Sequence, residues 1–244
     1  MKAKDVEKET MILSATPVEI LEQVKIKLPV KVVEPVKDIY VDVAKMELDR
    51  LARLYDRAYF ARHYGINYGD SILWRLLPEM LIKLWGYSSK RILDFGCGLG
   101  WLVKNMRERG IEAFGVEASD FAIMSSPVSF ALSKPILQID QVAFIYGEAA
   151  FDWVMSFEAL EHIPEKDVDF YIAAFRRSCK KGFIGSIYLR DGGDETHVTV
   201  HDRAWWIGKF MKHGFVNRPT REHELMSYPT VNDFGFEIFW FEVI

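Results

Sequence analysis

Arg91–Val103 reads RILDFGCGLGWLV, and it is the most informative stretch of the chain. An apolar run ends at Asp94, glycines follow at positions 96, 98 and 100, and helical spacing begins. A strand that enters a glycine turn and then a helix N-terminus is how α/β proteins bring a ligand to backbone amides. The missing Cβ atoms let the chain turn sharply and let a ligand lie against it. A dinucleotide turn of the form G-x-G-x-x-G would place its third glycine where Trp101 stands. Here that glycine comes one residue early, and an acid precedes the first. The loop therefore reads as holding a nucleoside-bearing cofactor without a pyrophosphate, and Trp101 disfavours a nicotinamide-dependent oxidoreductase.

Downstream residues extend the pattern. Leu99–Arg109 reads as a helix that Gly110 ends, and Ile111–Glu117 as a buried strand closed by an acid. Glu117 lies about twenty residues past the glycine loop, where a βαβ unit sets a carboxylate against a ribose. Its oxygens have acceptor sites enough for both vicinal hydroxyls. Ser119 or Asp120 caps a short helix that Pro127 cuts off, and Lys134–Asp140 reads as a third strand ending in another acid. In Phe151–Pro164, FDWVMSFEALEHIP, a fourth strand runs into Ser156, Phe157 and Glu158, and Pro164 starts the next helix. Ligands of open α/β sheets sit beyond the carboxyl ends of the strands, so Asp94, Glu117 and Ser156–Glu158 converge on one crevice.

These residues carry a resemblance. DFGCGLG, Glu117 and the Phe151–Pro164 string are similar to the motifs of class I S-adenosylmethionine-dependent methyltransferases, over roughly Tyr55 to the C-terminus. The resemblance implies a Rossmann-like α/β fold: a seven-stranded, mostly parallel sheet with helices on both faces and an N-terminal helical cap. It implies S-adenosylmethionine as cofactor, with S-adenosylhomocysteine as product. The cofactor-binding residues it implies are Asp94, Gly96, Cys97, Gly98, Gly100, Glu117, Ala118, Ser156, Phe157 and Glu158. Asp140 would meet the adenine amino group, with the Gln141 backbone beside the ring. Similar E-x-x-E-H strings ligate metal in ubiquinone-pathway O-methyltransferases and in small-RNA terminal ribose methyltransferases. They also occur in relatives without metal, so capping or cofactor contact is the default for Glu158, Glu161 and His162, and no metal ligand is assigned.

Asp167–Lys180 reads as an amphipathic helix and Gly182–Arg190 as the fifth strand. The loop after it is where catalytic groups collect on a rigid sheet. A histidine is a natural general base for a hydroxyl or amine, and the resemblance, through the order Thr-His-Val, a Trp-Trp helix and Gly-Phe, implies His197 in that role, with His162 as the second catalytic candidate. His201 sits beside Asp202, which caps the helix through His213, and reads as structural. Gly214–Thr220 and the aromatic run Phe234–Ile244 read as a hairpin-like final pair of strands, the second covered on both faces.

Before the core, residues 1–41 read as an extension: Thr16-Pro17 starts a short helix, and Pro29 and Pro35 interrupt a β-branched run. Residues 42–88 read as a helical cap, 89–244 as the methyltransferase core. In the cap, Ser71 would cap a helix that Pro78 kinks or breaks and Gly86 closes. Aromatic residues crowd Tyr55–Tyr68, which reads as packing against the sheet, while the resemblance, through a similar Y-F-x-x-x-Y-G segment, implies a lid over the cofactor. The net charge is −4 with no long run of one sign, which disfavours a nucleic-acid partner. The two cysteines are too few for a disulfide framework or a Cys-rich zinc site. No apolar run spans a bilayer and no signal-peptide segment opens the chain, so a cytoplasmic monomer or homodimer is expected. The expected activity is methyl transfer, O-methylation favoured, to a small-molecule or glycan acceptor. The alternatives are an RNA ribose methyltransferase with a metal at the E-x-x-E-H string, or a catalytically silent binder of the cofactor.

Overall fold

A computed structural model describes residues 53–64, 70–86, 91–128, 148–190 and 194–244. The expected extension over 1–41, most of the helix expected from Asp42 and the boundary at 88 lie outside them, as does the third strand expected at Lys134–Asp140.

Six strands form one open sheet among the described residues: β1 (Arg91–Phe95), β2 (Glu112–Val116), β3 (Phe151–Phe157), β4 (Cys179–Ser186), β5 (Phe215–Asn217) and β6 (Ile238–Val243). Their order is β2-β1-β3-β4-β6-β5. The first four are parallel, and β6 runs antiparallel to both β4 and β5. The mixed α/β architecture is the one expected. The hairpin is not: β5 and β6 do pair, but two helices intervene, α7 (Pro219–Met226) and α8 (Pro229–Asp233). Pro219 and Pro229 each stand in the first turn of a helix, where the missing N–H costs nothing.

Side-chain alternation divides the core into two layers. On β6, Phe239 and Phe241 face the helices α5 (Glu165–Ser178) and α6 (Arg203–Lys212). Ile238 and Trp240 face α2 (Ile72–Trp85), α3 (Trp101–Glu108) and α7. These four side chains are 0–1% exposed, so the strand is covered on both sides as read. Each large apolar side chain so buried contributes roughly 1.5–3 kcal/mol. The strand β4 starts at Cys179, directly after α5 and earlier than the expected Gly182.

Pro78 lies inside α2, which neither breaks nor ends there. Leu73, Leu77, Met80 and Leu81 are buried around it, and that packing offsets the lost backbone hydrogen bond. Ser71 occupies the N-cap position without a side-chain cap, and Gly86 ends the helix with φ 74°. Ser119 caps α4 (Asp120–Met124), and Asp202 caps α6 by accepting from the Trp205 amide at 2.8 Å. A short helix, α1 (Arg57–Tyr64), packs Tyr59 and Phe60 against Leu99 of the glycine loop and Ala122 of α4. No helix among the described residues is long and apolar enough to cross a membrane.

Where strands press closely, glycine is obligatory. A Cβ on Gly185 would overlap the Ser156 carbonyl of β3, and one on Gly182 the Phe241 carbonyl of β6. Gly208, exposed within α6, has open space around it. Gly185→Ala should therefore cost at least about 2 kcal/mol, roughly 4–8 °C in melting temperature for a chain of this size. Gly208→Ala should gain about 0.5–1 kcal/mol from helix propensity. Equal melting temperatures for the two variants in thermal denaturation would contradict this packing account.

Candidate functional site

The crevice is built from three strand ends in register. Asp94 pairs with Gly115 on β2 and Met155 on β3, so the residues after β1, β2 and β3 emerge along one edge. At the turn out of β1, Gly96, Gly98 and Gly100 all have positive φ, 70°, 53° and 78°, which glycine adopts without a steric penalty. The Gly96 and Cys97 amides donate to the Val116 carbonyl at 3.0 and 3.1 Å. A Cβ on Gly96 would come within 2.5 Å of Ala159 Cβ, so this glycine lets the turn after β3 close onto the loop.

Glu117 sits under that loop, 8% exposed. Its Oε2 accepts from the Gly98 amide at 2.8 Å, and its Oε1 from Ala118 and Ser119 at 2.7 and 2.9 Å. Burial raises its pKa, and the three amides oppose the rise. A carboxylate offers about four acceptor positions, so one remains for a ligand hydroxyl without displacing an amide. Asp94, also buried, is pushed well above the usual carboxylate range by burial and then by Glu117. The Cys97 thiol is likewise raised, chiefly by burial and then by these two carboxyls. Ala118 and Phe157 are buried, and Ser156 is buried with its hydroxyl unpartnered. Asp140 and Gln141 lie outside the described residues.

Glu158 carries a positive φ of 50°, a strained setting for a side-chain residue at the mouth of a strand. Its amide donates to the Ser186 carbonyl at 3.1 Å, joining the turn to the end of β4. The turn continues as a single 3-10 helix, Leu160–His162, against which the loop after β4 is fastened. Val198 and Thr199 amides donate to the Glu161 carbonyl at 3.0 and 2.9 Å, and the Thr199 hydroxyl donates to the Ile163 carbonyl at 2.6 Å.

That fastening brings together residues far apart in sequence. Glu161, His162 and His197 each offer a ligand atom within 4.8 Å of the others. Glu161 is fully buried, and neither carboxylate oxygen has a hydrogen-bond partner. Burial first, and the nearby Glu158 second, push its pKa up to about 8, while the Glu161 and Tyr188 backbone amides oppose the rise without reaching hydrogen-bond geometry. His162 is held down at about 4, mainly by burial, and His197 is lowered by burial as well, so both rings are neutral at neutral pH. His197 Nδ1 is buried without a partner. The donor set, two imidazoles and a carboxylate, suits a divalent cation. His201 stands apart, 3.0 Å from Glu165 and stacked on Trp205, in the structural role expected of it.

The cluster has further members, Tyr55 and Tyr59 from the aromatic stretch and Asp194 and Thr196, which the sequence reading did not single out. The Tyr55 hydroxyl lies 2.9 Å from His162 Nδ1, and Tyr59 donates to Asp194 Oδ2 at 3.2 Å. Thr196 donates from both its amide and its hydroxyl to Asp194 Oδ1, at 2.8 and 2.6 Å. The one available hint was Asp194-x-Thr196, the spacing of an Asx turn. Of the two readings of the aromatic stretch, the packing is seen: Phe60 packs on the glycine loop, while the Tyr55 and Tyr59 hydroxyls meet His162 and Asp194.

Comparison with known proteins agrees with this geometry. Residues 67–236 match a family described as "Methyltransferase domain". A ubiquinone biosynthesis O-methyltransferase of Idiomarina loihiensis is 26% identical over 154 residues, 59% of this chain and 58% of that protein. One from Azoarcus sp. is 35% identical over 88 residues, 34% of this chain and 37% of that protein. The chain thus spans less than two thirds of the length of these relatives. Among solved structures, a magnesium protoporphyrin IX methyltransferase of Synechocystis PCC 6803 with bound S-adenosylhomocysteine has a TM-score of 0.58 at 15% identity, covering 80% of this chain and 99% of that one. The 1,6-didemethyltoxoflavin-N1-methyltransferase of Burkholderia thailandensis has a TM-score of 0.54 at 17% identity, covering 87% and 92%. At such identities the likeness is one of fold. With the family match extending over well more than half of its 244 residues, the chain belongs to the methyltransferase domain family.

Proposed function

We propose that this chain is an S-adenosylmethionine-dependent methyltransferase that methylates a hydroxyl of a small-molecule or glycan acceptor. The observation that carries the reading is the crevice at the ends of β1, β2 and β3, where buried Glu117 binds the Gly98 amide and keeps one acceptor position. Asp94, Gly96, Cys97, Gly98, Gly100, Glu117, Ala118, Ser156, Phe157 and Glu158 line or build it. S-adenosylmethionine, when bound, supplies an electrophilic sulfonium methyl. The chain's own residues then orient the acceptor, exclude water and receive its proton. Oxygen as the methylated atom is supported by relatives whose names are O-methyltransferases. A net charge of −4 supports a small acceptor over RNA. Both cysteines are unpaired, the state of a reducing compartment, which supports a cytoplasmic location.

His197 is the proposed base: its ring is neutral, and its Nδ1 has no protein partner to occupy it. One observation favours a second reading, in which His197 serves as a ligand in place of the base. Ionising a buried carboxyl with both oxygens unpartnered is costly, which is why the Glu161 pKa rises to about 8, and a divalent cation shared with His162 and His197 would relieve that cost. Such a cation would supply Lewis-acid activation of the acceptor hydroxyl.

Three measurements test these readings. At about 100 times its Kd, S-adenosylhomocysteine should stabilise the chain by about 2.7 kcal/mol, a rise of roughly 5–10 °C in melting temperature. NAD should give none, and the opposite ranking sinks the cofactor assignment. His197→Ala should lower methyl transfer to a hydroxyl acceptor by roughly 10²–10⁴ while keeping the S-adenosylhomocysteine shift; unchanged turnover would remove His197 from the chemistry. In metal-free buffer Glu161→Gln should melt higher than the wild type, because a neutral amide replaces the buried acid. It should also lose the stabilisation that millimolar Mg²⁺ or Mn²⁺ gives the wild type. A wild type indifferent to both ions would discard the cation and leave His197 alone as the base.

A further inference from the structure

The imidazole of His162 is held on one side only. Its Nδ1 lies 2.9 Å from the Tyr55 hydroxyl, 2.9 Å from the Thr196 hydroxyl and 3.2 Å from the Thr196 carbonyl. A carbonyl can only accept. The Thr196 hydroxyl has already given its proton to Asp194, so toward His162 it too can only accept. With two acceptors at Nδ1, that nitrogen carries the hydrogen, the Tyr55 hydroxyl beside it accepts as well, and the lone pair is left on Nε2.

We infer that Tyr55 and the Asp194–Thr196 pair are positioning residues that fix His162 as its Nδ1–H tautomer and so present Nε2 to the cluster with Glu161 and His197. The inference deepens the cation reading above and rests on it. Histidine ligands are commonly oriented by such a bond at the other ring nitrogen, and losing it weakens metal affinity by about 10–100-fold.

The arrangement assigns the lid a share in the site. Tyr55 precedes α1 and lies 107 residues from His162, while Tyr59 of α1 lies 135 residues from Asp194. His63, also on α1, is 3.6 Å from the same Asp194 carboxylate. Asp194 is thus held by the lid on one oxygen and holds Thr196 with the other. Tyr55 also meets His162 edge-on, with ring centroids 5.6 Å apart, so the imidazole is fixed in orientation as well as in tautomer. An undocked lid leaves His162 free to rotate and to exchange tautomers, and the ligand set is then incomplete.

The test is a Mn²⁺ titration of the full chain, with free ion read by electron paramagnetic resonance, alongside the S-adenosylhomocysteine thermal shift. Tyr55→Phe and Thr196→Val should each weaken Mn²⁺ binding about 10-fold. Thr196→Ser, which keeps the hydroxyl, should bind as the wild type does, and all three should keep the S-adenosylhomocysteine shift. If Tyr55→Phe and Thr196→Val bind Mn²⁺ as tightly as wild type while His162→Ala does not, the cation site stands and the positioning role is overturned. If the wild type itself binds no Mn²⁺, the cation reading fails and this inference fails with it. Loss of the S-adenosylhomocysteine shift together with Mn²⁺ binding in every variant also overturns it, since these residues would then support the whole crevice.

Discussion

The hydrogen bond from the Gly98 amide to the buried Glu117 carboxylate joins the ends of the first two strands into one surface. A carboxylate taken out of water costs several kcal/mol unless charge-assisted bonds replace its hydration. Here three backbone amides do so, and all three belong to the turns that shape the crevice. The loop can offer its amide because left-handed backbone, which costs a side-chain residue about 1–2 kcal/mol, is free of that cost at Gly96, Gly98 and Gly100. Acid and loop therefore specify each other. Without the acid the amide lacks a partner, and without the glycines it points elsewhere.

Both faces of the sheet are apolar, yet one end of it gathers Asp94, Glu117, Glu158, Glu161, His162 and His197 in buried or half-buried positions. The carboxyls are raised by burial, and Asp94, Glu158 and Glu161 also by a neighbouring acid. Apolar residues of similar volume would be more stable there. A fold that concentrates this cost at the strand ends, with Glu158 in strained backbone beside them, is trading stability for a ligand-ready surface.

The part legible in sequence was the part built locally. Strand, glycine turn, helix and acid follow one another within Arg91–Glu117, and each leaves a periodicity or a residue type that physics restricts to few conformations. The double-sided burial of β6 was readable for the same reason. A break at Pro78 does not occur because propensity is local and packing is not: the buried face of α2 outweighs one missing hydrogen bond. The β5–β6 connection misled because an aromatic run and a turn signal look alike whether the chain returns at once or through two short helices. The aromatic stretch that holds Tyr55 and Tyr59 was legible, but its pairing with His162 and Asp194 was not, because polar contacts across more than a hundred residues have no period to detect.

The acceptor side shows how such long-range contacts are made dependable. The Glu161 carbonyl takes two amides from the loop after β4, while its side chain takes none. Backbone bonds are cheap in entropy once the strands are set, so they fix where the loop lies and bring His197 to His162 regardless of what the carboxylate does. The carboxylate is then free to serve chemistry, and its cost falls on a residue whose backbone cannot yield. Position and reactivity are thereby assigned to different atoms of one residue. That division explains how Glu161 can be fully buried, unpartnered and raised in pKa without loosening the turn that carries it.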